Sequence, residues 1–387
     1  MKKAGCVLIM VILLMLEISA KAEWMSVVEL RRQVAEMGRW TQTYTDTYGR
    51  QVAVDILPAM PDVEAVPILR VESMGVSLDQ IHLDMPLIAA NNEEGSRYYY
   101  DSETGEWMRL YEVCKDTMSI EYANQDTSSE SGLDEFGSLR GKPLCIDKFN
   151  LDASYKEIDI LKGYKQTVDY VMEILFQDNK PTYSFTWLEE VSGEVPCSVV
   201  TLRQKIEGIP ALMGVGDPIA YASEAEIGFS KPDGSDNVEI RLCNRLESDE
   251  KIISYLDGTC RMQIAPIREI GQLDEDVPLC SFDEVRNTVE KLILSGYIRR
   301  MYALRFGYCC YRAADGGNVL YPVWQIECDY AFDPAKQLSP DESCLVTERT
   351  HYSTMIVNAQ TGEFMNPVEL KDRLLDVPNV ISWKDVQ

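Results

Sequence analysis

Two segments decide the fold of the C-terminal part of the chain: Ile298-Arg-Arg-Met-Tyr-Ala-Leu-Arg-Phe-Gly-Tyr-Cys-Cys-Tyr311 and Val319-Leu-Tyr-Pro-Val-Trp-Gln-Ile-Glu327. A turn sequence, Asp315-Gly316-Gly317, separates them. In the first segment, bulky side chains recur at every second position, the period of a β-strand: Tyr302, Leu304, Phe306 and Tyr308. The pattern predicts an antiparallel hairpin. We expect its sheet to be covered on one face only, because antiparallel sheets commonly leave the other face in water.

The residues on either side complete a helix followed by a meander. Phe282 to Leu294 has helical spacing, with one apolar face formed by Val285, Val289, Leu292 and Ile293. Beyond the hairpin, a strand is predicted at Ser353 to Asn358, with a turn at Thr361-Gly362 and a partner strand ending at Phe364. A short helix from Pro367 to Leu375 follows. These elements define a module at residues 271–387.

A similar order is found upstream and defines a first module at residues 142–270. It begins with a helix near Tyr164 to Phe176 and continues with an extended stretch from Ser198 to Pro210. A turn around Pro232-Asp233-Gly234 then leads to a strand from Val238 to Leu242. A helix followed by antiparallel strands, twice, indicates an α+β fold rather than alternating βαβ units.

The N-terminal part reads as mostly β. A helix is predicted at residues 24–38, with Gly38 as its C-cap, followed by strands at Trp40 to Tyr48, Gln51 to Ile56 and Pro67 to Glu72. A short helix from Ser77 to Met85 and a hairpin at 97–113 follow. We therefore expect a β-rich domain at residues 23–122. The polar stretch at 123–141 lacks periodicity and is predicted to be a linker.

The first 22 residues are typical of a secretory signal peptide. Met1-Lys2-Lys3 precedes an apolar run from Ala4 to Leu16, and Ala20 and Ala22 supply the small residues of a cleavage site. The run is shorter than the roughly 20 residues of a membrane span. An uncleaved anchor is the alternative, and it would be the chain's only membrane contact. Cys6 lies too early for a lipoprotein cleavage site, so the chain is predicted to be secreted or extracytoplasmic.

Composition narrows the choice of partners. The formal net charge is −26 at pH 7, which repels nucleic acid and suits a soluble protein or a cationic partner. The chain has 11 cysteines, ten of them beyond the signal, but no C-x-x-C pair. Zinc ribbons and thioredoxin-type chemistry are therefore disfavoured. Most of these cysteines are interpreted as small buried apolar residues.

Catalytic motifs are scarce. The chain has two histidines, His82 and His351, and no H-E-x-x-H or G-x-S-x-G sequence. Three further groups are candidates for chemistry or binding: the carboxylate pair Glu189-Glu190, the calcium candidates Asp274-Glu275-Asp276 and Asp233 to Asp236, and the aromatic residues Tyr98-Tyr99-Tyr100 with Trp107. A solvated loop or a cross-strand aromatic pair explains each of them more simply. We therefore assign no catalytic, metal-binding or cofactor-binding residue, and expect no small-molecule cofactor.

Several short motifs resemble PepSY-like modules. These are Tyr321-Pro322-Val323-Trp324, the closing hairpin Ile356 to Phe364 with its Thr-Gly-Glu turn, and Leu202 to Pro210 in the first module. The paired arrangement is similar to extracytoplasmic accessory regulators of the Gram-positive cell-wall histidine kinase. Residues 50–85, with Ala59-Met-Pro-Asp-Val63, resemble an uncharacterised exported family of gut Clostridia.

What the resemblance implies is regulation through a protein partner outside the membrane, without catalysis. The chain would present sheet edges or faces to that partner. A hydrolase acting on cell wall or peptide and a glycan-binding module remain the alternatives.

Overall fold

The computed structural model describes residues 24–73, 78, 81, 86–91, 95–103, 107–114, 117–123, 145–150, 173, 182–192, 197–213, 237–243, 260–264, 267–313, 315, 317–330, 352–365 and 380–386. Within these ranges the fold is β-rich α+β, with eighteen strands and three helices. None of the helices in these ranges is long and apolar enough to cross a lipid bilayer.

The helices are α1 (Val27–Met37), α2 (Phe282–Leu294) and α3 (Trp383–Val386). The first two begin with a capping box, in which a serine side chain and a glutamate three residues later each accept a hydrogen bond from the other's backbone N–H. The predicted helices at 24–38 and 282–294 are thus confirmed. Gly38 ends α1 with a φ of +63°, the left-handed region that glycine favours.

The strands in chain order are β1 Trp40–Thr45, β2 Gln51–Ile56, β3 Ile68–Ser73, β4 Leu87–Asn91, β5 Ser96–Tyr100, β6 Trp107–Cys114, β7 Thr117–Ala123, β8 Cys145–Asn150, β9 Thr182–Ser192, β10 Cys197–Ile206, β11 Ile209–Met213, β12 Asn237–Cys243, β13 Cys260–Ile264, β14 Ile267–Asp274, β15 Ile298–Arg312, β16 Asn318–Tyr330, β17 Tyr352–Asn358 and β18 Phe364–Met365.

Strands β1 and β2 form a separate hairpin, and the other sixteen belong to one hydrogen-bonded sheet. The main path through that sheet runs β14-β3-β16-β15-β11-β10-β12-β13-β7-β6-β5-β4. Strands β17 and β18 extend it from β16, and β9 and β8 extend it from β10. Nearly all neighbours are antiparallel, whereas β11 and β15 run parallel. The two ends of the main path are therefore β14 and β4.

The predicted hairpin is confirmed as β15 and β16, which pair antiparallel from Ile298–Tyr330 to Arg312–Asn318. The prediction that one face stays wet is wrong here. Every residue from 303 to 311 and from 319 to 328 is buried, so both faces of the hairpin are covered. On one face, the Trp324 ring packs edge-on against Phe306 and against Phe282 of α2. On the other, Tyr311 meets Tyr321 with ring centroids 5.9 Å apart.

The hydrophobic core joins segments that are far apart in the chain. It includes Val27 and Leu30 of α1, Leu69 of β3, Val285 of α2 and Trp324 of β16. Strand β3 also pairs with both β14 and β16. These contacts cross the predicted boundaries at residues 122 and 271, and the boundaries themselves stay a prediction.

In the first module, the extended stretch from Ser198 to Pro210 folds into β10 and β11, joined by a turn at Glu207-Gly208 in which both residues have positive φ. The predicted strand from Val238 to Leu242 lies within β12. Several other predictions fall outside the described residues: the signal peptide, most of the linker, nearly all of the helices at 77–85 and 164–176, the turn at 232–234 and the helix at 367–375.

Candidate binding surface at the β14 edge

Strand β14 ends the sheet, and it pairs with β3 alone among the described strands. The pairing contains two irregularities at which β14 has one residue more than β3. Ile270 lies between Glu269 and Gly271, and Leu273 lies between Gln272 and Asp274, and neither has a partner in the register. Both are thus the extra residues of β-bulges, which bend a strand and turn side chains out of the regular alternation.

The two extra residues are large, apolar and exposed. The exposed fraction is 55% for Ile270 and 50% for Leu273, whereas Ile68, Leu69 and Val71 of the neighbouring β3 are buried. Space around the strand is open as well: a Cβ added at Gly271 would meet no atom within 4 Å. Five of the eight residues of β14 are exposed, so the strand is accessible to solvent over most of its length.

The peptide groups of Ile267, the first residue of β14, are hydrogen-bonded by a side chain in place of a neighbouring strand. The side-chain amide of Gln204 donates to the Ile267 carbonyl oxygen at 2.6 Å, and its oxygen accepts from the Ile267 N–H at 2.9 Å. The N–H and C=O of one residue in a strand point to the same side, so the Ile267 peptide groups face away from β3. Gln204 is buried and comes from β10, and its amide satisfies them as a strand would.

The charges around this edge are mostly negative. Arg268 is held by Glu72 of β3, with its Nε 2.8 Å from the carboxylate, so its charge is compensated. Glu269 and Glu275 are exposed. The surface thus combines exposed aliphatic side chains with an excess of carboxylates.

The opposite end of the main path offers a comparison. In β4, Leu87 and Ile88 have exposed fractions of 51% and 58%. Ile88 is again an extra residue, since Leu87 pairs with Tyr99 and Ala89 with Tyr98. Both terminal strands therefore expose apolar residues at bulges. Among the described contacts, only β14 also has its first peptide groups bound by a side-chain amide.

Asp276, which belongs to the calcium candidate Asp274-Glu275-Asp276 at the end of β14, has a structural role. The Asp276 carboxylate accepts from the Val66 N–H at 2.9 Å and from the Trp383 indole at 3.0 Å, so both of its oxygens are occupied. Within the part of the chain that the structure describes, no cluster of potential ligands could hold a metal ion. His82, His351 and Asp233 to Asp236 lie outside the described residues.

The remaining candidates are placed on separate strands. Glu189 and Glu190 are successive residues of β9, opposite Val199 and Ser198 of β10. In β5, Tyr99 is buried and Tyr98 and Tyr100 are half-buried. The backbone register sets Tyr100 opposite Trp107.

The four cysteines whose side chains are described are buried and carry free thiols: Cys280, Cys309, Cys310 and Cys328. They match the interpretation as small apolar residues. Burial raises the pKa of Cys280 to about 12, and the nearby Glu284 carboxylate acts in the same direction. Cys280 is thus a protonated thiol at neutral pH and a poor nucleophile.

The Thr-Gly-Glu turn also has a structural role. Gly362 has a φ of +69°, and its carbonyl accepts from the Thr288 hydroxyl of α2 at 2.6 Å. The buried Gln360 side chain accepts from the Tyr321 hydroxyl at 2.6 Å and holds both the N–H and the C=O of Ile381. The motif therefore fixes the closing hairpin and the C-terminal segment to the core.

Sequence reasoning did not identify Gln204 or the bulges of β14. Gln204 is a polar residue in a strand, and nothing in the local sequence predicts that its side chain is buried. A glycine inside a strand-like stretch such as 267–274 does indicate a bulge, and Gly271 was the available clue.

No protein-family model and no curated protein matches the chain. Among solved structures, it is similar to the crystal structure of an uncharacterized protein from Eubacterium rectale, with a TM-score of 0.47 and 10% sequence identity. That similarity covers 87% of this chain and 98% of the other.

Proposed function

We propose that the chain is an exported, non-catalytic binding or regulatory protein that acts at the cell envelope, built from tandem PepSY-like modules. The order α2, β15, β16, β17, β18, a helix followed by an antiparallel meander, supports the second module. The signal-like first 22 residues support export.

The observation that carries the proposal is the accessible edge of β14, with Ile270 and Leu273 exposed on it. Sheet edges present unpaired peptide groups and are common sites for binding extended segments of other proteins. A partner that covered this edge would remove two large aliphatic side chains from water.

Two of the described residues are unsuited to hydrolytic chemistry. The Cys280 thiol is protonated at neutral pH, because its pKa is about 12. The Asp276 carboxylate is engaged by Val66 and Trp383 and so is poorly placed for general base catalysis.

Site-specific photo-crosslinking tests the proposal. A photoreactive p-benzoylphenylalanine replaces the exposed Gln272 of β14 in one protein and the exposed Gln51 of β2 in a matched control. Each is exposed to the envelope of the organism that encodes the chain, and crosslinked proteins are identified by mass spectrometry. We expect one protein to be crosslinked from position 272 and not from 51, and to bind again when purified.

The double variant Ile270→Ser/Leu273→Ser should lose this partner, while Leu87→Ser/Ile88→Ser at the other end of the sheet should keep it. The absence of any protein crosslinked from position 272 would contradict the proposal, and turnover of cell-wall or peptide substrates by the purified chain would then favour a hydrolase.

A further inference from the structure

We infer that the segment bound at β14 is short, extended and basic, and that it adds to the sheet as one more strand, starting beyond the Gln204 amide. The inference rests on the proposed function and names the chemistry of the partner.

The geometry of Ile267 points to strand addition. Its N–H and C=O face away from β3 and are bound by an amide that has the same donor and acceptor as a peptide group. Outward-facing peptide groups recur at every second residue of a regular strand, so those of Glu269 come next. No described residue pairs with β14 on that side beyond Gln204. A bound segment would continue the ladder that Gln204 begins.

The side chains indicate what such a segment contains. Ile270 and Leu273 offer contacts to aliphatic side chains of the partner. The nearby carboxylates of Glu269 and Glu275 are exposed, and Arg268 is neutralised by Glu72. Lysine or arginine residues in the partner would therefore be favoured, and acidic residues would be repelled.

The bulges limit the length of the segment. Each adds a residue to β14 and bends it, so a flat strand pairs in register over only a few residues. The same bend opposes edge-to-edge pairing of two copies, as does the formal charge of −26 on each chain. A basic segment of another protein is not repelled by charge, and a short one needs to pair over only the few residues that the bend allows.

The test uses three labelled peptides of about ten residues, the length of a long strand. One alternates valine with lysine, the second alternates valine with glutamate, and the third is the lysine peptide with a central proline, which lacks an N–H. Binding to the purified chain is measured by fluorescence anisotropy at low and high salt. Hydrogen exchange of β14 is measured with and without the lysine peptide.

We expect the lysine peptide to bind at least about tenfold more tightly than the other two, with weaker binding at high salt. It should slow exchange of the Glu269 amide. Ile270→Ser/Leu273→Ser should abolish this binding, and Leu87→Ser/Ile88→Ser should leave it unchanged. All four substitutions are at exposed positions, so circular dichroism should show folded proteins.

Four results would overturn the inference. Equal binding of the lysine and proline peptides would show attraction to an acidic surface without strand addition. A dimer in sedimentation that Ile270→Ser/Leu273→Ser abolishes would identify a second copy as the occupant. A partner crosslinked at position 272 with no peptide binding would reject strand addition and leave the proposed function standing, whereas failure of both experiments would reject both.

Discussion

The side-chain amide of Gln204 and the backbone of Ile267 form a pair of hydrogen bonds that joins β10 to β14. Both residues are buried, so water cannot replace these bonds. The pair links the first residue of the candidate binding edge to the middle of the sheet.

Gln204→Leu should therefore lower the free energy of unfolding by about 2 kcal/mol or more, because it leaves a buried N–H and a buried C=O without partners. Urea denaturation measures the change. Gln51→Leu, at an exposed position of β2, is the control and should change stability by less than about 0.5 kcal/mol. Equal effects of the two substitutions would show that the Gln204 amide is not needed.

Two glycines should respond differently to alanine. A Cβ at Gly307 of β15 would lie 2.5 Å from Leu212 Cγ and closer still to the Pro210 carbonyl oxygen, so β11 would have to move. Gly307→Ala should destabilise the protein by about 1–3 kcal/mol, as overpacking does. Gly271→Ala, in open space on β14, should be neutral or slightly stabilising. Thermal unfolding of the two variants compares them directly, and a stable Gly307→Ala protein would contradict the close approach of β11.

The buried ion pair between Arg305 and Glu327 gives a third prediction. Glu327→Met leaves a buried guanidinium without its carboxylate and should cost about 3–5 kcal/mol, whereas Arg305→Met/Glu327→Met should cost less than the single change. The exposed pair of Arg268 and Glu72 is the control, and loss of either partner should cost about 1 kcal/mol at most. Additive effects at 305 and 327, in a double-mutant cycle of denaturation energies, would mean that the two charges do not stabilise each other.

The Cys280 thiol makes stability depend on alkaline pH. Its pKa is about 12 in the folded protein and about 8.5 in an unfolded chain, so the folded state holds the proton more tightly. Below about pH 8.5 both states are protonated and the stabilisation is fully present. As the pH rises, the unfolded state loses its proton first, and the free energy of unfolding falls until the folded pKa is reached.

Cys280→Ala should therefore show a shallower loss of stability between about pH 8.5 and 10 than the unaltered protein, by up to about 1.4 kcal/mol per pH unit. Urea midpoints at three pH values in this window measure the difference. Burial also raises the pKa of Tyr321 to about 12, but an unfolded tyrosine titrates near pH 10, above most of this range. Parallel curves for the two proteins would exclude a role for the Cys280 proton.

Local patterns in the sequence were sufficient to predict several elements. The helix at 282–294 was identified by its apolar spacing, and the hairpin of β15 and β16 by alternation around a glycine turn. In these cases the residues that decide the structure are neighbours in the chain. The α+β class follows from the order of such elements.

The long-range pairings could not be predicted in this way. Strand β3 pairs with β14 across roughly two hundred residues, and no local pattern in either strand specifies the other. The second covered face of β15 and β16 depends on those distant segments as well. The candidate surface was missed for a related reason, since Gln204 and the bulges acquire their roles only once β10, β3 and β14 come together.

The bulges at Ile270 and Leu273 also affect how readily the protein aggregates. Deleting Ile270 would restore regular alternation to the first part of β14, and a flat, accessible strand is the template on which intermolecular cross-β stacks grow. The extra residues thus hinder fibril growth at high concentration, and they do so without closing the edge to the short segment proposed above. Under the proposed export, cytoplasmic chaperones could not remove aggregates, so this protection against fibril growth would matter more.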